Sequence, residues 1–184
     1  MGRTDVLICG SGSAGICAAL WLAKLGIPFR ILEARDGALR VGQADGVQCR
    51  TVEIFESFGI SDPLLRESYH VAELAFWSQQ KEGQLARTAR APDTPPGLSH
   101  QPHVILNQAR LDAILLEEVA RQQPRHRIDY GHRITSVQID DSDPAYPVKV
   151  IAVCGDVSKT FRAKYALVWP AIPSDTFIDA LALC

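Results

Sequence analysis

The chain has 184 residues, 47% of them apolar, and its 19 basic and 21 acidic residues leave a formal charge of −2. That length holds one domain, or one domain with the start of a second, and the apolar share is enough for a real core. A near-neutral balance without a basic cluster argues against nucleic acid as a partner, and no apolar stretch approaches the ~20 residues of a membrane span.

The first elements are the most informative. Val6, Leu7 and Ile8 form a short apolar run that predicts a strand, stopped by Gly10. The spacing of Gly10, Gly12 and Gly15 lets the chain turn tightly, brings backbone N–H groups close to a pyrophosphate and lets the following helix pack against the strand. Ile16, Ala19, Leu20 and Ala23 recur at helical spacing, and Gly26 and Pro28 end that helix. Its positive end would point at the pyrophosphate. Phe29, Ile31 and Leu32 predict a second strand, and Glu33 follows Gly15 by 18 residues, near the ~20 expected of an acid that binds a ribose diol. Strand, glycine turn, helix, strand and acid together predict a dinucleotide site. An acid at Glu33 would repel a 2′-phosphate, so the expected adenosine is that of FAD or NAD. Arg35 reads either as softening that repulsion or as a solvated side chain.

Further along, Gly42 and Gly46 bracket Asp45 in a loop, and Thr51, Ile54, Phe55 and Phe58 follow helical spacing up to Gly59. Asp62-Pro63 looks like a helix start. Residues 71–78 and 84–90 read as paired strands of a substrate-side sheet, and residues 91–97, APDTPPG, as a proline-rich loop without chemistry. His70, His100 and His103 are candidates for a substrate cavity or for surface positions, at spacings that suggest no metal. From Gln108 a helix is predicted with Leu111, Ile114, Leu115 and Val119 on one side. A strand is expected over 127–138, a hairpin over 148–154 and 157–163 turned at Gly155-Asp156, and a return to the parallel sheet over 164–168. The five cysteines are scattered and odd in number, so they predict neither a disulfide framework nor zinc. No charged region precedes an apolar one at the start, Val6 spoils a myristoylation match and Cys184 is last in the chain, so the expected location is cytoplasmic.

Residues 42–60, GQADGVQCRTVEIFESFGI, and 103–118, HVILNQARLDAILLEE, taken with the first motif, resemble the phenol hydroxylase branch of the FAD-dependent aromatic monooxygenases, a group related to p-hydroxybenzoate hydroxylase. The resemblance runs from about residue 4 to 167. It implies a Rossmann-like α/β fold: an FAD-binding parallel sheet with a β-meander crossover and the start of a substrate-side sheet. Gly10, Gly12, Gly15 and Glu33 would hold the ADP half of FAD. Arg40 would lie on the phosphate and ribityl side, and Gln108 would reach the pyrophosphate and ribityl chain.

Asp45 falls where the phenol hydroxylases keep an acid beside the substrate hydroxyl, although alone it also reads as an Asp-Gly turn acid. An oxygen-activating flavin delivers electrophilic oxygen, and a phenol attacks it far faster as phenolate. With a phenol pKa of about 10, a positioned base could contribute roughly 10² to 10⁴ in rate. The implied reaction is ortho hydroxylation of a phenol by O2, with NADPH as transient reductant and, by resemblance, a homodimer. The domain expected is 1–167, with 62–101 as substrate-side insertion.

After residue 168 the family's glycine turn gives way to Trp169, Pro170 and Pro173, so residues 168–184 are expected to be a divergent tail and the chain an incomplete domain with little activity alone. Two other readings remain: a non-catalytic FAD- or ADP-binding module, and part of an NAD-linked dehydrogenase.

Overall fold

The computed structural model describes residues 2–42 and 44–168; the tail from Trp169 onward lies outside them. In chain order the elements are β1 (Gly2–Cys9), α1 (Ser13–Lys24), β2 (Phe29–Leu32), β3 (Gly46–Val47), α2 (Cys49–Ser57), α3 (Ser61–Glu67), β4 (Tyr69–His70), β5 (Glu73–Gln79) and β6 (Leu85–Pro92). They continue with β7 (Val104–Ile105), α4 (Gln108–Gln122), β8 (Ile128–Asp129), β9 (Arg133–Ile139), β10 (Val148–Cys154) and β11 (Val157–Val168). This is an α/β fold with a mixed sheet, parallel from β8 through β2 and β1 to β11. No helix among the described residues is long and apolar enough to cross a membrane.

The chain divides into two compact units. The first comprises residues 1–40 and 115–184, and its described part holds a six-stranded sheet in the order β8-β2-β1-β11-β10-β9. Strand β1 runs parallel to β2 on one side and to β11 on the other. Leu7 and Ile8 are wholly inaccessible because both faces of a central parallel strand are covered. Each such side chain contributes about 1.5–3 kcal/mol by leaving water. The core gathers Leu7, Leu32, Val148, Val150, Phe161 and Ala163. Arg30 ties β2 to β8 through two bonds to Asp129, at 2.5 and 3.0 Å, and lays its guanidinium over the Phe161 ring.

Two expectations change here. The single strand predicted over 127–138 is two strands, because Gly131 takes a positive φ of 68° between them; β8 pairs parallel with β2, while β9 joins the antiparallel meander. Conversely, the second hairpin arm and the return strand are one continuous β11. It pairs antiparallel with β10 and parallel with β1, so it carries the meander into the parallel part of the sheet without a break.

The second unit is residues 41–114. Its three-stranded sheet has the order β3-β7-β4, so Gly46, predicted as the edge of a loop, and Val47 pair with Ile105 and Val104. Val52, Phe55 and Phe58 form the buried face of α2 and its end, where Gly59 turns with φ 79°. Strands β5 and β6 pair only with each other among the described residues, as a two-stranded sheet.

Candidate functional site

The first group of site residues stands at the carboxyl end of β1. The chain leaves β1 through α1 to β2 on one side while β11 lies on the other, so this end is a topological switch point, where open α/β sheets bind ligands. Gly10 turns with φ 106°, a conformation that favours glycine, and its N–H donates to Leu32 O at 2.8 Å. At Gly15 a Cβ would stand 2.2 Å from Gly10 O, so only glycine lets α1 approach the strand this closely. Around Gly12 a Cβ would meet nothing within 4 Å: the backbone at the start of α1 is open to a ligand. That helix end has no capping side chain of its own, because its N-cap residue is Gly12. Its N–H groups and dipole suit an anion there, so the glycines fit the pyrophosphate of FAD.

Glu33, at the end of β2, is 7% exposed. Its Oε2 accepts the Ser11 N–H at 2.7 Å, the Ser11 hydroxyl at 2.9 Å and Arg35 Nη2 at 3.1 Å, and its Oε1 accepts the Arg35 N–H at 2.9 Å. Burial pushes this carboxyl up, but the Arg35 guanidinium, the Arg35 and Ser11 N–H groups and the Ser11 hydroxyl outweigh it and hold the pKa down at about 2. The acid is therefore ionised at neutral pH, with both oxygens acceptors. Arg35 is not a solvated side chain: its Nη2 also donates to Ser11 O and Oγ, at 3.0 and 3.1 Å. Arg40 is exposed in the same unit, in the stretch after β2.

The second group is in the unit of residues 41–114. Asn107 caps α4 by accepting the Ala109 N–H on its side-chain oxygen, which sets Gln108 at the helix start. Gly42 lies against Gln108 so closely that a Cβ would stand 2.7 Å from Gln108 Cβ. Asp45 O accepts the Leu106 N–H at 2.8 Å, and β3 continues the pairing at Gly46. Gly42 and Asp45, far apart in sequence from residues 106–108, thus lie beside them, with the Asp45 residue exposed.

Sequence reasoning missed two features. Ser11, between the first two glycines, holds Glu33 through both its N–H and its hydroxyl; its position inside the motif was the available signal. The other is a pair that ties the proline-rich loop to the residue before β7: Asp93 Oδ2 meets His103 Nδ1 at 2.9 Å. Only the fold brings these two together, through Asp93 N–H on Ala72 O and Val71 N–H on His103 O. His70 and His100 are exposed, and His100 pairs with Glu56 at 2.6 Å. Among the described residues no group of three or more His, Cys, Asp or Glu is placed to hold a metal. Cys9, Cys17, Cys49 and Cys154 are free thiols, and Cys184 lies outside the described residues.

Comparison with known proteins gives the site a family. Residues 3–167 match the FAD binding domain family. Over 172 residues the chain is 50% identical to the FAD-dependent monooxygenase terD of Aspergillus terreus, covering 90% of this chain and 28% of that protein. Over 173 residues it is 38% identical to the 3-hydroxybenzoate 4-monooxygenase of Comamonas testosteroni, covering 90% and 27%. Among solved structures, the flavin-dependent monooxygenase PieE in complex with FAD and substrate superposes with a TM-score of 0.73 at 25% identity, over 89% of this chain and 29% of that one. The chain spans less than a third of the length of these relatives. It belongs to the FAD binding domain family and corresponds to the N-terminal FAD-binding region of the FAD-dependent aromatic monooxygenases.

Proposed function

We propose that this chain is the FAD-binding region of a phenol-type monooxygenase whose reaction is ortho hydroxylation of a phenol with NAD(P)H and O2. The observation that carries the reading is the approach of Gly42 to Gln108 and of Asp45 to Leu106, added to a glycine turn and ionised acid suited to FAD. The 3-hydroxybenzoate relative supports the ortho assignment, since its name places oxygen on the carbon next to the hydroxylated one.

In this reading Gly10, Gly12 and Gly15 admit the pyrophosphate, Glu33 accepts a ribose hydroxyl, and Arg40 and Gln108 hold the phosphate and ribityl side. The flavin, when bound, supplies the oxygen chemistry. Asp45, exposed on its loop, takes the proton from the phenol hydroxyl and returns it to the product. That role makes the ring a stronger nucleophile and would be worth roughly 10² to 10⁴ in rate. The protein works in the cytoplasm, as a homodimer.

The test is to purify the chain, saturate it with FAD, and follow flavin absorbance through gel filtration and NADPH consumption on adding phenol or 3-hydroxybenzoate. Weak flavin retention with little turnover is expected of this chain alone. Protection from thermal unfolding by NAD and none by FAD would overturn the reading in favour of a dehydrogenase. FAD binding without turnover that Asp45→Asn also fails to alter in a chain extended as in the relatives would leave a binding module only.

A further inference from the structure

We propose that Arg35 sets the specificity of the adenosine end, so that the chain admits an adenosine carrying a 2′-phosphate, as in NADP(H), as well as the unphosphorylated ribose of FAD. The inference rests on the dinucleotide reading of the glycine turn.

An acid at the end of the second strand selects a free ribose because its oxygens accept both hydroxyls and its charge repels a phosphate. Glu33 departs from this on both counts. A carboxylate offers about four lone-pair sites, and here Oε2 accepts three donors and Oε1 one. At most one acceptor direction is left, on Oε1. A single ribose hydroxyl fits there, and the second has to find a partner elsewhere.

The charge is offset as well. The Arg35 guanidinium stands 3.1 Å from Oε2, with its side chain about two-thirds buried, so bulk water screens the pair only in part. Arg35 is a fixture of the site. Its N–H is held by Oε1, its carbonyl accepts the Gly131 N–H at 2.7 Å, and its Nη2 bridges Ser11 O and Oγ. Glu33 and Arg35 therefore present the ribose with a net-neutral edge that includes a guanidinium. An arginine beside the ribose is how dinucleotide sites accommodate a 2′-phosphate, here through its positive charge. NADP(H) would then compete with FAD for this chain through the adenosine half.

The experiment is calorimetric titration of the nucleotide-free chain with 5′-ADP and with 2′,5′-ADP at about 0.1 M ionic strength, where screening extends over about 10 Å. Dissociation constants within about tenfold of each other support the inference. In Arg35→Gln, which uncovers the Glu33 charge, 2′,5′-ADP should weaken at least about tenfold more than 5′-ADP, and the added Glu33→Gln should close that gap. A wild-type chain that binds 5′-ADP and discriminates against 2′,5′-ADP by more than tenfold overturns the inference and leaves the dinucleotide reading standing. A wild-type chain that binds neither nucleotide overturns both. The wild-type ratio decides by itself should a variant fail to fold.

Discussion

Strand β1 ends in Val6, Leu7, Ile8 and Cys9, all buried, while strand β5 carries Leu74, Phe76 and Trp77, all exposed. Both are short apolar runs with similar claims to strand structure. They differ in neighbours: β1 has a strand on each side and a covered face above and below, whereas β5 pairs with β6 alone among the described residues. Burial of an apolar run follows the number of layers around it and not its own composition. A two-stranded sheet exposes the faces that a larger sheet, or a partner layer, would cover.

The sharpest way to break this comparison is to truncate one apolar side chain in each strand. Leu7→Ala takes side-chain atoms out of the inaccessible core and should cost about 2–5 kcal/mol, toward the upper end because the rigid parallel sheet cannot collapse onto the cavity. Chemical denaturation of the purified chain measures it. An effect below 1 kcal/mol would mean that the β1 core is looser than its burial implies.

Gly15→Ala comes next, at about 3 kcal/mol, since its Cβ at 2.2 Å from Gly10 O can be relieved only by moving backbone. It should also abolish ADP binding, because shifting α1 displaces the N–H groups at the turn. Retained binding with lowered stability would show that the nucleotide does not use that helix end.

The pH profile probes the same corner more gently. The Glu33 carboxyl has a pKa of about 2 in the folded chain against 4.5 ordinarily, so it favours the folded state. That contribution is complete above pH 4.5, fades as pH falls and is gone below about 2; its full size is about 3 kcal/mol. Because acid titrates other carboxylates too, the discriminating measurement is the difference between wild type and Glu33→Gln. The variant should lose less stability than wild type between pH 5 and 2, and parallel curves would remove Glu33 from the account.

The legible and the hidden parts of this molecule divide along the same line. The corner from Val6 to Glu33 could be read from the sequence because its constraints are local: a positive φ at Gly10, a close approach at Gly15, and an apolar face at helical spacing on α1. The helix with Leu111, Ile114, Leu115 and Val119 was legible for the same reason, and all four are buried. What stayed hidden depends on pairing at long range. The split between β8 and β9 is decided by which strand accepts each piece. The strand β3 exists only because residues 104 and 105 come alongside it, and the Asp93–His103 pair joins a loop that looked featureless to the residue just before β7. Arg35 was hidden differently: exposure could be guessed from its type, while its bonds to Ser11 required knowing that the glycine turn folds back over β2.

The smallest expected effect belongs to β5. Trp77 is 61% exposed, so Trp77→Ser gives up little burial and should change the stability of the chain by no more than about 0.5 kcal/mol, although the wild-type residue is far larger than Leu7. Its emission should be that of a solvated indole and should be quenched readily by acrylamide. Set against Leu7→Ala, the pair of variants asks whether size or surroundings governs the cost. A loss of 2 kcal/mol or more at Trp77 would mean that another layer covers the hairpin in solution, and the contrast between the two strands would then vanish. A negligible loss would leave β5 and β6 as an apolar two-stranded sheet that contributes almost nothing to holding the chain together.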